Sequence, residues 1–336
     1  MGKRVAIIGA GSWGTALAIH AARAGHDVFI WSRNAAVVDS INRDHINSDY
    51  LKDAEIPASV RATKDIAGSI DGAELVILAA PSHATRGLLT TMSPALRSEM
   101  IIVSATKGIE VDTGKRISEI VEEVVPNAIC PRFVCLSGPS FAKEVVEKHP
   151  TAVVAASKDA EAGSIVQSEL SFENLRIYTN DDVIGTELGG SVKNVMAVAA
   201  GMVAGLGFGS NSIAALITRG LAEMTRLTLR EKGKLETMMG LAGLGDLVLT
   251  CTGSLSRNRF VGLELGKGRS LAEITAGMNE VAEGVKTTLA VKLLADRNGV
   301  EMPITNEVHA VLYERKSATD AADQLMTRPL REEGNY

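Results

Sequence analysis

Aromatic residues are scarce in this 336-residue chain, 4% of the total against 46% for hydrophobic residues as a whole, while glycine is plentiful at 32. That balance speaks against a β-sandwich and for an α/β sheet whose helices pack through small residues. Cysteine is nearly absent. Cys130, Cys135 and Cys251 show neither metal-ligand spacing nor the even count of a disulfide framework, so they read as buried reduced thiols. No basic cluster occurs and the net charge is −5, which makes nucleic acid and anionic membrane poor partners. An anionic substrate would need positive charge supplied locally. The most apolar late stretch, residues 195–208, is too short and too rich in glycine for a membrane span, and the N-terminus enters a strand with no signal-peptide core. The expectation is a cytoplasmic protein without membrane insertion, long enough for two domains. Paired carboxylates for hydrolysis, a metal-ligand cluster and a nucleophile elbow are not apparent.

What the chain does have begins at residues 3–14, KRVAIIGAGSWG. Val5 to Ile8 form an unbroken apolar run that reads as a parallel strand buried on both faces. Gly9, Gly11 and Gly14 follow with the spacing G-x-G-x-x-G, and a small-residue helix runs on towards Gly25. Each glycine has a mechanical task. The first allows the tight turn, the second lets backbone approach a pyrophosphate, and the third lets helix and strand pack closely. A second strand over residues 26–31 ends in Ser32-Arg33-Asn34, not in the acidic residue that would hold a ribose 2′-hydroxyl. Arg33 suits a 2′-phosphate, so NADP(H) is favoured and NAD(H) stays possible; the alternative is an ordinary solvated arginine.

Apolar runs at 73–80, 100–105, 132–138, 151–157 and 175–179 predict further strands, with helices near 84–97, 140–147 and 159–170. Alternation of this kind predicts a doubly wound, mostly parallel sheet with ligands at the carboxyl ends of its strands. Near Asp181 the character changes, and helical periodicity with glycine punctuation runs through 186–206, 212–232 and 284–298. The reading is a Rossmann-type dinucleotide-binding domain over 1–183, an all-helical substrate and catalytic domain over 184–330, and a flexible tail over 331–336. The cleft between domains is the default active site.

Reduction of a carbonyl by a nicotinamide needs a proton donor from the protein. Lys193 is the candidate, because Gly189, Ala197 and Ala200 share its helix face and would let another surface approach the ammonium. A snorkelling lysine at a domain seam fits the same pattern. Lys107 follows the strand at 100–105, where it would attract an anion and lower the pKa of a neighbouring lysine. Ser140, in the loop that begins Ser137-Gly138, is either an N-cap or part of a polar ligand site. Asp246 is the one acid of an apolar stretch containing Gly240, Gly243 and Gly245, which invites a site role or an N-cap. Ser256-Arg257-Asn258-Arg259 precedes an expected helix at 260–265, as a phosphate site or as a capped, solvated helix start. His83, expected in a loop with no carboxylate partner, is not chosen as general acid.

Taken together, GAGSWGTALA, PSHATR, ATKGIE, SGPSFAKE, VKNVMAVAAG, AALITRGLAEM, GLAGLGDLVLTCT, SRNR and VAEGVKTT resemble, in that order and over nearly the whole chain, the bacterial-type NAD(P)-dependent glycerol-3-phosphate dehydrogenases. The resemblance implies reversible reduction of dihydroxyacetone phosphate to sn-glycerol 3-phosphate for glycerophospholipid synthesis, and a possible homodimer. It also implies that Lys193 is the proton donor and acceptor, with Lys107, Gly138, Ser140, Asp246, Ser256, Arg257 and Asn258 around the substrate. Ser12, Trp13, Arg33, Tyr50, Lys107, Ala142, Arg257, Val281 and Glu283 would line the cofactor site; Tyr50 and Val281 rest on the resemblance alone. The family's usual leucine before the catalytic Lys-Asn is Val192 here.

Overall fold

The computed structural model describes residues 2–126, 132–278, 282–330 and 332–333. Cys130 and most of the expected tail lie outside them. Two compact units result, Met1–Thr106 with Ile117–Val183, and Lys107–Arg116 with Ile184–Tyr336.

The first unit is built on strands β1 (Arg4–Ile8), β2 (Asp27–Trp31), β3 (Arg61–Thr63), β4 (Leu75–Leu78), β5 (Ile101–Ser104), β6 (Arg132–Ser137), β7 (Thr151–Ala156) and β8 (Leu175–Asn180). They form one sheet in the order 3-2-1-4-5-6-7-8, parallel except where β7 runs against β6. Helices α1 (Ser12–Arg23), α2 (Ala35–Asp44), α3 (Ile66–Ile70), α4 (Ser82–Met92), α5 (Ile117–Val124), α6 (Ala142–Val146) and α7 (Ala160–Leu170) connect the strands. Strand periodicity divides the apolar run of β1 between two cores. Val5 and Ile7 join Leu17, Val28 and Leu75 on one side, and Ala6 and Ile8 join Val76, Leu78 and Ile102 on the other. Chain order reverses between β1 and β4, the switch point at which an open α/β sheet presents its crevice.

The second unit is helical. Its elements are α8 (Val183–Gly205), α9 (Ser210–Arg230), α10 (Leu235–Met239), a π-helical turn (Leu241–Gly245), α11 (Asp246–Thr252), α12 (Arg257–Gly266), α13 (Leu271–Ala276), α14 (Glu283–Asn298), α15 (Pro303–Tyr313) and α16 (Ala318–Met326). By length and composition α8 could cross a membrane, longer than the 195–208 stretch suggests, yet most of it is buried by its neighbours as a core helix would be. Glycine lets α12 press against it backbone to backbone. A Cβ on Gly201 would stand 2.0 Å from the Arg259 carbonyl oxygen, and one on Gly262 would stand 1.9 Å from that of Val198.

Residues 107–116 follow β5 in sequence, and the sequence reading carries them with the sheet. They group instead with the helices, for visible reasons. Ile109 is buried in the helical core, the Arg116 guanidinium donates to the Glu187 carboxylate at 2.9 Å, and Arg297 donates to the Thr113 carbonyl at 2.5 Å. Lys107 therefore belongs to the same compact unit as Lys193.

Candidate active site

In the first unit the three glycines of the β1–α1 turn differ in what surrounds them. Gly9 has φ +121°, and a Cβ there would lie 2.9 Å from the backbone of Ala79 and Ala80. A Cβ on Gly14 would meet the Gly9 carbonyl oxygen at 1.9 Å, so α1 and the turn touch through bare backbone. A Cβ on Gly11 would meet nothing within 4 Å among the described residues. Packing thus accounts for two of the glycines and leaves open space at the third. Gly11 is the N-cap of α1 and gives no side-chain capping bond, so the first backbone N–H groups of this helix have no side-chain cap from it.

Other expected residues of this unit gather at the same carboxyl ends of the strands. Exposed Arg33 follows β2, whose Trp31 is in register with Ile8 of β1. Ser12 donates its hydroxyl to the Tyr50 carbonyl at 2.8 Å, and Trp13 and Tyr50 pack against the core. Gly138, at φ +136°, follows the end of β6, and a Cβ there would stand 3.0 Å from the Val153 Cα. Ser140 is not an N-cap: its hydroxyl donates to the Gly138 carbonyl at 3.0 Å, Phe141 is the N-cap of α6, and Ala142 is that helix's first residue. His83 is not in a loop but in the first turn of α4, exposed. Val281 lies outside the described residues.

In the second unit three charged side chains meet. Gly189 on α8 allows close approach of the π-helical turn, since a Cβ there would stand 2.4 Å from the Ala242 carbonyl oxygen. That approach sets Asp246, the first residue of α11, against Lys193 about one turn further along α8. Lys193 Nζ donates to Asp246 Oδ1 at 2.5 Å, and Lys107 Nζ donates to Oδ2 of the same carboxylate at 2.7 Å. Lys193 also donates to Thr250 Oγ1 at 2.8 Å, whose own proton goes to the Asp246 backbone carbonyl. Lys193 does not snorkel: it is 6% exposed and Asp246 1%.

Burial dominates the electrostatics here. It drives the Lys193 ammonium down to about 8, with Lys107 pushing the same way and Asp246 opposing. Burial alone would raise the Asp246 carboxyl, but the two ammonium groups overcome it and hold it below the usual carboxylate range. Cys251, further along the same helix, is pushed up to about 12 by burial, which leaves an inert thiol. The arrangement is a cationic pair anchored by one carboxylate, with one member able to exchange a proton near neutral pH.

Ser256 to Arg259 lie inside a helix start and not before it. The Ser256 hydroxyl accepts the Arg259 N–H at 3.2 Å as N-cap of α12, which puts Arg257 and Asn258 in its first turn. Arg257 is exposed. Asn258 is buried and spends both ends of its amide, donating to Asn194 Oδ1 at 2.9 Å and accepting from the Gly284 N–H at 2.9 Å. The start of α14, where Glu283 sits, is thereby tied to the start of α12 and to the residue after Lys193. Asn194 and Thr250 are site neighbours that the sequence reading omits; the Lys-Asn pair offered a signal for the first, whereas Thr250 is hidden in an apolar helix.

Two family models match this chain. One, described as the N-terminus of NAD-dependent glycerol-3-phosphate dehydrogenase, covers residues 4–163, and one described as the C-terminus covers 182–323. A protein of Koribacter versatilis named glycerol-3-phosphate dehydrogenase [NAD(P)+] is 55% identical over 97% of this chain and 98% of its own length. One of the same name from Nitratidesulfovibrio vulgaris is 51% identical over 98% of this chain and 100% of its own. Among solved structures, the glycerol-3-phosphate dehydrogenase of Coxiella burnetii superposes with a TM-score of 0.93 at 40% identity, covering 97% of this chain and 99% of that one.

Proposed function

The chain belongs to the NAD-dependent glycerol-3-phosphate dehydrogenase family, and on that premise we propose that Lys193 is the proton donor of its reaction. The reaction is the reversible reduction of dihydroxyacetone phosphate to sn-glycerol 3-phosphate with NAD(P)H, which supplies glycerophospholipid synthesis. The observation that carries the assignment is the buried Lys193, at about 8, sharing one buried carboxylate with the partly buried Lys107. A donor with that value is about nine-tenths protonated at pH 7 yet gives up its proton readily.

The dinucleotide fits the residues present. Gly11 leaves open space at an uncapped helix start, which suits a pyrophosphate approaching backbone N–H groups. Gly9, Gly11, Ser12, Trp13 and Gly14 would hold that part, Arg33 would pair with a 2′-phosphate and favour NADP(H), and Tyr50, Lys107, Ala142, Arg257, Val281 and Glu283 would line the rest. Bound NAD(P)H supplies the hydride.

The chain's own residues do the remaining work. Lys193 donates a proton to the ketone oxygen as charge grows there; Asp246 and Thr250 aim the ammonium, and Lys107 adds positive charge for an anionic substrate. Arg257, Asn258, the Ser256-capped start of α12, Gly138 and Ser140 hold the phosphate and backbone oxygens of the substrate. In the oxidative direction neutral Lys193 removes the hydroxyl proton, so that direction gains at alkaline pH. The unit of Met1–Thr106 and Ile117–Val183 then supplies most of the cofactor's residues, and the unit of Lys107–Arg116 and Ile184–Tyr336 most of the substrate's. The family also supports a cytoplasmic homodimer.

Following NADPH and NADH absorbance side by side with dihydroxyacetone phosphate and with unphosphorylated dihydroxyacetone tests substrate, phosphate and cofactor together. Rapid turnover is expected with the phosphate ester and NADPH. Equal rates on both ketones would contradict the phosphate assignment.

A further inference from the structure

We propose that Asn47 is a positioning residue for the cofactor: its carboxamide locks the glycine-rich turn in its receiving form before the dinucleotide arrives. The inference rests on the reading that this turn holds the dinucleotide.

Asn47 is completely buried, in the segment that follows α2. Its side-chain nitrogen has two protons, which reach the turn and the start of α1. One goes to the Ala10 carbonyl and one to the Thr15 hydroxyl, each at 2.8 Å. These partners set the orientation of the amide, since turning it over would aim Oδ1 at the Ala10 carbonyl oxygen. The chosen orientation has a cost: Oδ1 is buried with no hydrogen-bond partner among the described residues. Folding alone gains nothing from that orphan atom.

The gain lies in the next peptide group. A trans peptide is planar and its C=O and N–H point in opposite directions. Holding the Ala10 carbonyl inward against Asn47 therefore turns the Gly11 N–H the other way, away from Asn47, at a residue whose added Cβ would meet nothing within 4 Å among the described residues. An anion arriving there finds a donor already aimed and need not reorient the backbone, which is how preorganisation raises affinity.

Asn47 is itself held from several sides. The Leu51 N–H donates to its backbone carbonyl at 2.9 Å, Ser12 donates to the Tyr50 carbonyl at 2.8 Å, and Ser40 donates to the Ile46 carbonyl at 2.9 Å. The Ile56 N–H closes the loop onto the His45 carbonyl at 2.8 Å, so residues 45–56 form a compact Ω-loop fastened to the turn.

The test compares Asn47→Ala and Thr15→Val with the wild-type enzyme by steady-state kinetics and by NADPH fluorescence titration. Loss of one buried hydrogen bond's worth of preorganisation should raise KM for NADPH and for NADH alike by roughly three- to tenfold. The kcat at saturating cofactor and the KM for dihydroxyacetone phosphate should stay within about twofold, well below that effect. Thr15→Val, which keeps the side-chain shape and removes the hydroxyl that accepts from Asn47, should move KM for NADPH the same way by less. A merely structural role would lower the thermal midpoint and leave both cofactor KM values in place; that result, in either folded variant, overturns the proposal. Should Asn47→Ala not fold, Thr15→Val decides alone. Gly11→Ala separates the two levels of the argument: its Cβ would meet nothing within 4 Å among the described residues, so the protein folds, and NADPH binding should weaken at least about tenfold. Normal NADPH binding by Gly11→Ala would refute the turn as cofactor site, whatever Asn47 does.

Discussion

Asp246→Asn isolates the electrostatics of the lysine pair, because it keeps the side-chain shape and one acceptor oxygen but removes the charge that both ammonium groups contact, at 2.5 Å from Lys193 and 2.7 Å from Lys107. Burial and Lys107 then act on Lys193 without opposition and push it down from about 8. At pH 7 a donor that is about nine-tenths protonated in the wild type becomes about half neutral for a drop of one unit and about nine-tenths neutral for a drop of two, since each unit changes the ratio of protonated to neutral amine about tenfold. Reductive kcat at pH 7 should fall by about two- to tenfold as the alkaline limb of the reductive pH profile moves towards acid by about one to two pH units. Oxidation of glycerol 3-phosphate at alkaline pH, where Lys193 acts as base, should suffer less. Taking one partner from a buried ion pair costs up to about 3–5 kcal/mol of stability, reduced to the extent that an ammonium sheds its proton. Rates in both directions across pH, with urea unfolding alongside, supply the readout. A folded variant whose alkaline limb stays at the wild-type position would refute the reasoning.

Two further outcomes follow from the helical unit. Glu223 is buried, accepts the Ile304 and Thr305 N–H groups at the start of α15, and is raised by burial from 4.5 to about 7. A raised carboxyl binds its proton more tightly folded than unfolded, so its stabilising contribution is complete below pH 4.5 and is lost as pH rises to about 7, about 3 kcal/mol in all. Glu223→Gln should therefore flatten urea-measured stability across that window, and parallel wild-type and variant curves would contradict the assignment. Gly262→Ala puts a methyl group where the Val198 carbonyl oxygen would be 1.9 Å away, forcing α12 off α8. It should cost about 1–3 kcal/mol or more and raise KM for dihydroxyacetone phosphate, because the first turn of α12 carries Arg257 and Asn258. An unchanged KM would separate that turn from the substrate.

What was legible in the residues depended on burial. Parallel strands enclosed on both faces, such as Leu75–Leu78 and Ile101–Ser104, announce themselves as apolar runs, and their bounds differ from expectation by one or two residues. The edge strand Arg61–Thr63 does not, for it is three residues long and begins with an exposed arginine. Glycine spacing signalled the turn at 9–14, but the fastening of that turn by Asn47 comes from 37 residues away and leaves no local pattern. The action of Lys107 on Lys193 was legible, but that residues 107–116 fold with the helices was hidden for a similar reason, since it depends on contacts of Ile109, Thr113 and Arg116 with helices far along the chain. For Ser256 to Arg259 the residues were found and the local structure was not: the N-cap lies at Ser256, four residues ahead of the expected helix start at Phe260. Polar residues in a first helical turn carry no apolar periodicity to reveal them.

The central claim, that the Lys193 ammonium supplies the proton to the reduced ketone, is tested most directly by kcat of Lys193→Ala at saturating NADPH and dihydroxyacetone phosphate. A fall of roughly 10²–10⁴-fold with NADPH affinity retained is the predicted result. Turnover close to that of the wild type in the folded variant would contradict it.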